Sequence, residues 1–429
     1  MKTKRILAIV LAALMIVTCF ASCRTKDENA FTFTYGDKTV NIRTALYMCF
    51  LIDADLTFQS EAVEAAETAG TKYDEYQELK YEDKDYETWT KDTAKESAEQ
   101  YAYAELECER LGLSISEDEE SYIKYYAEMQ WNGNESYGGY SEVYEANGIS
   151  YNTYLDYYTN SYKQQLVYNF YVEETTDEEV AETTAAEKTT STEETTSTEE
   201  TTAETTTKKQ VDPEIEKLHG SLRPEDKAIN SALVNNFVPV YMIDVSFTDD
   251  NGNEKEDATK KEQLKLLEKY AKQLNKGTDF ATVYSKYQQD FGIASDDTSD
   301  SSSASDYEAV LSSAKANEVS NNGKNADENF NDALKMKVGE AKVMQNEECY
   351  TLIYRRNISK DSDSSGSSYK DSYMDSAIDV LVKDDYDKNI VDKVIKEMKC
   401  NENSSAIKFY SPKKIDYLQD TTAETTSVE

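Results

Sequence analysis

The segment Val240-Tyr-Met-Ile-Asp-Val245 places the strongest constraint on the architecture of this chain. Its β-branched and aromatic residues predict a strand, and a second strand is predicted from Cys349 to Arg355. Between them, apolar residues at helical spacing predict a helix that ends near Gly277: Leu264, Leu267, Ala271 and Leu274. Another helix is predicted from Asp279. Strands with flanking helices indicate an α+β domain at residues 237–359.

Residues 31–174 are predicted to form a mainly helical domain. Phe31-Thr-Phe-Thr-Tyr35 alternates apolar and polar side chains, which predicts a short strand. The largely apolar run from Ile42 to Leu56 predicts a buried helix. Ser116 and Glu119 form a capping box that opens a later helix. Three large side chains share one face of that helix: Tyr122, Tyr126 and Met129.

Composition sets the remaining boundaries. The tract 175–210 and the tail 419–429 are rich in Thr and Glu. Such sequences bury too little apolar surface to offset the entropy of ordering, so both are predicted to be disordered. Residues 211–236 are predicted to be a connecting helix. The segment 370–418 is predicted to contain a C-terminal helix and a short strand around Ala406–Tyr410.

The N-terminus has the pattern of a bacterial secretion signal over residues 1–22. Basic residues precede an apolar run from Ile6 to Met15, which is shorter than a membrane-spanning helix requires. The signal ends in Phe20-Ala-Ser-Cys23, which resembles a lipobox, so Cys23 is predicted to carry lipid at the start of a tether, 23–30. Two acyl chains anchor stably, which predicts the extracytoplasmic face of the cell membrane. An ordinary cleaved signal or an uncleaved anchor is the alternative.

Charge and composition exclude several classes of function. The formal net charge of −38 repels nucleic acid, which is therefore not an expected partner. A site that needs two imidazoles is excluded, because His219 is the only histidine, and a solvated position in a turn is predicted for it. No metal and no cofactor is predicted, because the cysteines that remain after Cys23 match no metal-binding spacing: Cys49, Cys108, Cys349 and Cys400.

The order of motifs in residues 237–359 resembles a parvulin-type prolyl isomerase domain, which implies a small antiparallel sheet with flanking helices. The first strand and its helix are followed by Gly277-Thr-Asp-Phe-Ala281, Phe330-Asn-Asp-Ala333 and the closing strand. The motif Gly112-Leu-Ser-Ile-Ser-Glu-Asp-Glu119 in the helical region is similar to the N-terminal chaperone domain of SurA. With the lipobox, the chain resembles extracytoplasmic foldases of the PrsA and SurA type. The resemblance implies that the partners are unfolded or partly folded exported proteins.

The chain departs from this family at the positions that carry catalysis. Catalytic parvulins have one histidine on the first strand and one on the last, and the corresponding positions here are Met242 and Thr351. Phe330 keeps an apolar side chain of the proline pocket. The resemblance thus implies a peptide-binding pocket without the catalytic pair, formed by Phe330, Met242, Tyr241, Tyr350 and Thr351. Little isomerase activity is expected, because the twisted amide would lack directed hydrogen bonds.

Three functions remain open on the sequence. The first is a membrane-tethered chaperone that holds partly folded exported proteins, for which the 33 tyrosines offer adaptable contacts, although most are expected to pack within helices. The second is an active parvulin-type isomerase with a histidine-free site around Phe330, Tyr241, Tyr350 and Asp244. The third is a surface binding or scaffold lipoprotein that reuses the fold.

Overall fold

The computed structural model describes residues 27–133, 138–174, 213–249, 252–293, 306–320 and 323–418. Its contacts divide the chain into two compact units. Unit 1 combines Met1–Ser221 with Asp387–Glu429, and unit 2 is Leu222–Tyr386. Unit 2 is therefore an insertion in the sequence of unit 1. The mixed α+β class is as predicted, whereas Cys23 and the signal lie outside the described residues.

The first part of unit 1 is mainly helical. Its elements are β1 (Asn29–Tyr35), β2 (Lys38–Arg43), α1 (Thr44–Ala69), a 3₁₀ turn (Tyr76–Glu78), β3 (Lys80–Tyr81), β4 (Lys84–Asp85), α2 (Tyr86–Leu111), α3 (Glu117–Asn132), α4 (Ser141–Ala146), α5 (Tyr151–Val172) and α6 (Pro213–Glu216). Helix α1 packs on α2 and α5, and these three helices form most of the core of unit 1. The predicted strand at Phe31 and the buried helix over Ile42–Leu56 are confirmed.

Local capping explains where these helices begin and end. The Ser116 hydroxyl accepts a hydrogen bond from the Glu119 backbone N–H, and the Glu119 carboxylate accepts one from the Ser116 backbone, which confirms the predicted capping box. The Asp85 side chain likewise caps α2 by accepting from the Thr88 backbone N–H. Helix α2 ends at Gly112, whose φ of 72° is readily adopted by glycine.

Unit 2 is built on a four-stranded sheet. Its elements are α7 (Asp226–Asn236), β5 (Phe237–Ser246), α8 (Asp257–Leu274), α9 (Phe280–Phe291), β6 (Glu308–Ser312), α10 (Ala314–Val319), α11 (Phe330–Lys335), β7 (Ala341–Gln345), β8 (Cys349–Arg355), α12 (Tyr369–Ser372) and α13 (Met374–Tyr386). The sheet is antiparallel, with the strand order β6-β5-β8-β7. Both predicted strands are therefore present as β5 and β8, and the two helices predicted between them are present as α8 and α9. Strands β6 and β7 were not predicted.

The C-terminal part of the chain differs from the prediction. After α13 it continues through a π-helical turn (Asp387–Val391), α14 (Asp392–Glu397), β9 (Lys399–Glu402), α15 (Ser404–Ile407) and a 3₁₀ turn (Pro412–Lys414). The strand predicted around Ala406–Tyr410 is wrong: the Asn403 side chain caps a short helix there by accepting from the Ala406 backbone N–H. The strand lies earlier, where β9 pairs antiparallel with β1, so that the end of unit 1 completes the sheet begun at its start.

The segment 370–418, predicted as one C-terminal piece, is divided between the two units after Tyr386. The predicted connecting helix at 211–236 is divided in the same way, with α6 in unit 1 and α7 in unit 2. Within the described ranges, none of the helices has the length and apolar character that crossing a membrane would demand.

Candidate functional site

Met242 and Thr351, the positions that correspond to the parvulin histidines, lie on neighbouring strands of unit 2. They are not directly opposite each other, because Met242 pairs with Ile353 and Thr351 pairs with Asp244. Paired residues point to the same side of a sheet, so all four side chains share one face. The sheet therefore brings Met242 and Thr351 together as diagonal neighbours.

Three polar side chains lie together at this point. The buried Thr351 hydroxyl donates to the Asp244 carboxylate, and the Cys349 sulfur lies 3.5 Å from the Thr351 oxygen. A threonine that donates to Asp244 is already committed to a structural hydrogen bond. These three side chains therefore offer one exposed carboxylate and no pair of groups that could orient each other as two imidazoles do. Lys342 and Arg355 lie on the same face by strand register, and the Arg355 guanidinium donates to the Leu334 and Met336 carbonyl oxygens.

Phe330 lies on the same side of the sheet but does not line an open pocket. Only 3% of its surface is exposed, and it packs in a cluster with Val240, Met344 and Ile353, against which Met242 also packs. Core packing, rather than peptide binding, accounts for its apolar character.

Tyr241 and Tyr350 point to the opposite side of the sheet, so the five candidate pocket residues do not converge. Both belong to the cluster formed with α8 and α9, where Tyr350 is buried and Tyr241 is partly buried. The Tyr241 ring lies 5.1 Å from that of Phe280 and is covered by the Arg356 guanidinium at 4.3 Å. The histidine-free site proposed around Phe330, Tyr241, Tyr350 and Asp244 is therefore split by the sheet itself.

Helix α3 of unit 1 presents a surface of a different kind. The tyrosine face of α3 consists of Tyr122, Tyr125, Tyr126 and Met129. Tyr122, Tyr125 and Met129 are 53%, 63% and 42% exposed, and the Tyr122 and Tyr126 rings lie 4.4 Å apart. The opposite face of the helix enters the core through Ile123, Ala127 and Trp131. Tyr122 and Met129, which share one face in the sequence pattern, thus point to solvent, whereas Tyr126 of the same pattern is half-buried.

Unit 1 also contains a cavity of about 810 Å³. Its walls come from α1 to α5 and from Tyr417 in the C-terminal segment, and they include seven tyrosines and Phe50. Tyr154 is at the centre of this wall, with its ring 5.3 Å from Tyr144 and 6.1 Å from Tyr158. The volume is in the range of small-molecule sites.

Two carboxylates of α1 lie beside this cavity in contrasting environments. Asp55 is fully buried and accepts hydrogen bonds from three phenols, those of Tyr76, Tyr86 and Tyr417. Asp53 lines the cavity and accepts one hydrogen bond, from Tyr157. Burial raises the pKa of the Asp53 carboxyl from 3.8 to about 7. Asp53 is therefore a poorly solvated acid that opens on a cavity.

The sequence prediction missed both acids, although a signal was present. Asp53 and Asp55 interrupt an otherwise apolar run that was predicted to be buried, and a buried carboxylate requires partners. Partners from distant parts of the chain, such as Tyr157 and Tyr417, could not be identified from that run alone.

The remaining titratable candidates do not form a site. His219 packs against Phe170, with ring centroids 4.9 Å apart, so it is half-buried rather than solvated as predicted. The four described cysteines are free thiols, and burial raises the pKa of the Cys108 thiol to about 12. In the part of the chain that the structure describes, no group of three or more acidic, histidine or cysteine residues could hold a metal ion.

Comparison with known proteins gave no family model that matches this chain, and no match among curated proteins or solved structures.

Proposed function

We propose that this protein is a membrane-anchored extracytoplasmic chaperone of the foldase type, tethered through lipid on Cys23, which holds partly folded exported proteins and has no strong prolyl isomerase activity. The observation that carries this proposal is the exposed tyrosine face of α3. Exposed apolar patches on a folded protein mark surfaces for interaction. Tyrosine suits contact with varied sequences, since a large apolar ring and a hydrogen-bonding hydroxyl become ordered at low entropic cost.

The arrangement of unit 2 is compatible with the resemblance to parvulins. A parvulin-like site requires its first and last strands to be neighbours, and β5 and β8 pair directly. The insertion of unit 2 within the sequence of unit 1 also separates a candidate chaperone unit from a candidate parvulin-like unit. These features support the family assignment as a proposal, on fold-level analogy.

The absence of strong isomerase activity is proposed from the contents of the sheet face. Met242 and Thr351 replace the catalytic pair, and the Thr351 hydroxyl is committed to Asp244. Phe330 is enclosed in the core, so no apolar pocket for a prolyl ring is formed around it. Stabilisation of a twisted amide needs preorganised donors in a desolvated pocket, and Met242, Thr351 and the enclosed Phe330 do not form such a pocket.

The chaperone function is tested by aggregation of a heat-denatured client with near-zero net charge. The variant Y122S/Y125S/M129S removes the exposed apolar groups and leaves the core face of α3 intact. We expect it to require at least about fivefold more protein for half-maximal suppression of light scattering, because a few aromatic anchors dominate a contact surface. The matched control is Phe409→Ser, which removes a 66% exposed aromatic ring outside α3 and should leave suppression unchanged.

Equal suppression by the wild-type protein and the triple variant would contradict a client surface on α3. Circular dichroism melting curves of the three proteins verify that they are folded, since substitutions of exposed side chains change stability by about 0.5 kcal/mol or less.

The isomerase question is tested by proline-limited refolding of a client whose slow phase lasts tens of seconds. We expect the full chain to leave the rate of this phase unchanged. Acceleration at catalytic concentrations would overturn the non-catalytic part of the proposal and favour the active isomerase. If refolding and aggregation are both unaffected, the surface binding or scaffold function takes the place of the chaperone.

A further inference from the structure

The cavity of unit 1 has the chemistry of a site for a cation. Phe50 and seven tyrosines supply aromatic walls, and Asp53 and Glu96 supply carboxylates. Among the described residues, no lysine, arginine or histidine lines the cavity. Aromatic faces attract cations through their quadrupoles, most strongly where water is displaced.

Asp53 is half-buried and lacks the cationic partner that a poorly solvated carboxylate normally has. The Tyr157 hydroxyl donates to its Oδ2 atom, and in the described part of the chain no cationic side chain is bonded to it. Burial alone accounts for its raised pKa. A cation bound in the cavity could therefore neutralise the Asp53 carboxylate, because no cationic side chain of the described residues does so.

Unit 2 contains a complete version of the same arrangement. The Arg356 guanidinium covers the Tyr241 ring at 4.3 Å and lies 3.6 Å from the Glu308 carboxylate. Rings, carboxylate and cation all come from the protein there. In unit 1 the rings and the carboxylate are present, and the cation is the component that a ligand would bring.

We propose that the cavity of unit 1 binds an organic ammonium group, with Asp53 as its counter-ion and the rings of Tyr144, Tyr154 and Tyr158 as its walls. The group is carried either by a small amine or by a lysyl side chain of a peptide.

The detailed geometry favours ammonium over the other classes of ligand. An anion would be repelled by Asp53 and Glu96, and a neutral apolar ligand would cover Asp53 without supplying a counter-charge. Tyr157 occupies Oδ2, so the remaining oxygen suits a point-like ammonium better than the two-pronged guanidinium of arginine. The net charge of −38 adds a long-range attraction for cations.

The ammonium site uses none of the residues in the tyrosine face of α3. It goes beyond the proposed chaperone function, and either can fail while the other holds.

Binding to Asp53 should depend on pH. The titratable groups that line the cavity with Asp53 are Glu96 and Tyr101 on α2, Tyr140 just before α4, Tyr144 on α4, Tyr154, Tyr157 and Tyr158 on α5, and Tyr417. Cys49 on α1 lies close enough to interact with Asp53. Burial raises the pKa of the Cys49 thiol and of the Tyr154 phenol well above neutrality, so these groups stay uncharged near pH 7. Asp53, with a pKa of about 7, is the group that gains charge as the pH rises through that value.

The test is isothermal titration calorimetry of the purified full chain with choline and with its neutral carbon isostere, dimethylbutanol. We expect choline to bind at least about tenfold more tightly than the isostere, since only the charged ligand gains the carboxylate and the aromatic faces. Choline should bind roughly 30-fold more weakly at about pH 5.5 than at about pH 8.5, because Asp53 is protonated at the lower pH. Equal binding of both probes, or binding of neither, rules out a small amine, and the proposal is overturned if a lysyl peptide also shows no preference over its acetylated form.

Asp53→Asn should abolish the preference for choline while leaving the cavity the same size. The matched control is Asp156→Asn, which removes the same charge from the exposed side of α5, outside the cavity wall. If Asp53→Asn does not give a wild-type thermal transition, Tyr158→Leu serves as the second variant, since it removes one ring of the wall. Choline affinity unchanged in a folded Asp53→Asn or Tyr158→Leu protein overturns the assignment of the site.

A second pair of probes distinguishes the sources of the ammonium group. These are a blocked Ala-Lys-Ala tripeptide and the same peptide with the lysine acetylated. Tighter binding of the lysyl peptide than of choline assigns the cavity to a lysyl side chain, and the reverse order assigns it to a free amine. Equal binding of the lysyl and acetylated peptides, together with no preference for choline over its isostere, contradicts both sources.

Discussion

The two units use aromatic rings for different purposes. In unit 2 the rings fill space: Tyr241 lies 5.1 Å from Phe280 and 5.0 Å from Tyr307, with Arg356 closing the cluster. In unit 1 rings at similar spacing, such as Tyr154 and Tyr144 at 5.3 Å, surround a cavity of about 810 Å³. Ring content alone therefore does not distinguish a core from a site.

The difference lies in the partner of the carboxylate. Glu308 in unit 2 accepts a hydrogen bond from the Tyr369 hydroxyl and lies 3.6 Å from the Arg356 guanidinium. Asp53 in unit 1 accepts a hydrogen bond from Tyr157 and is bonded to no cation among the described residues. Where the chain itself supplies a cation, an acid next to aromatic rings stabilises the fold. Where the chain supplies no cation, the acid remains available to a ligand.

Removing the Arg356 guanidinium from unit 2 should have the largest effect on the free energy of unfolding. Arg356→Met keeps much of the side-chain volume and leaves Glu308, whose side chain is 10% exposed, without this charge partner. We expect it to lower the free energy of unfolding by about 3–5 kcal/mol, as is typical when one partner of a buried ion pair is removed. Urea denaturation, monitored by tyrosine fluorescence, measures this change.

The control for Arg356→Met is Lys335→Met, which breaks the exposed Lys335–Asp332 pair. An exposed pair contributes about 1 kcal/mol or less. If Arg356→Met costs no more than this control, the network around Tyr241 is not what stabilises unit 2, and the contrast between the two units is lost.

Local signals explain which parts of the fold could be predicted from the sequence. Ser116 and Glu119 lie three residues apart and cap the same helix, so the start of α3 follows from the sequence alone. The strands β5 and β8 are rich in β-branched and aromatic residues and were predicted close to their observed bounds. Strand β9 is short, polar and exposed, and it is a strand because it pairs with the distant β1. Long-range pairing of this kind leaves no local pattern.

The site was less predictable than the fold, for two reasons. Tyrosine is both apolar and polar, so a helical pattern of Tyr122, Tyr126 and Met129 does not reveal whether that face is buried or exposed. A strand pattern likewise does not reveal what lies above each face, so Tyr241 and Phe330 were placed in one pocket although the sheet separates them.

The prediction for unit 1 is a change in the pH dependence of stability. The pKa of Asp53 is raised from 3.8 to about 7 by burial, so the folded state keeps a proton that the unfolded state has lost between these values. The wild-type protein therefore loses stability through Asp53 as the pH rises from about 4 to about 7, by at most about 4 kcal/mol at about 1.4 kcal/mol per pKa unit. Asn carries no titrating proton, so the stability of Asp53→Asn relative to the wild-type protein should increase across this pH interval.

Urea denaturation of the wild-type protein and Asp53→Asn at about pH 5 and about pH 8 measures this gain as a difference of differences, which cancels the titration of the other acids. The matched control is Asp332→Asn, which removes an exposed carboxylate. Its stability difference from the wild-type protein should be the same at both pH values. Adding choline at the higher pH should restore stability to the wild-type protein and not to Asp53→Asn, because a ligand stabilises the state that binds it. If the stability difference between the wild-type protein and Asp53→Asn does not change with pH, water or the phenols solvate Asp53 fully. The cavity would then have no more need of a cation from a ligand than the filled core of unit 2 has.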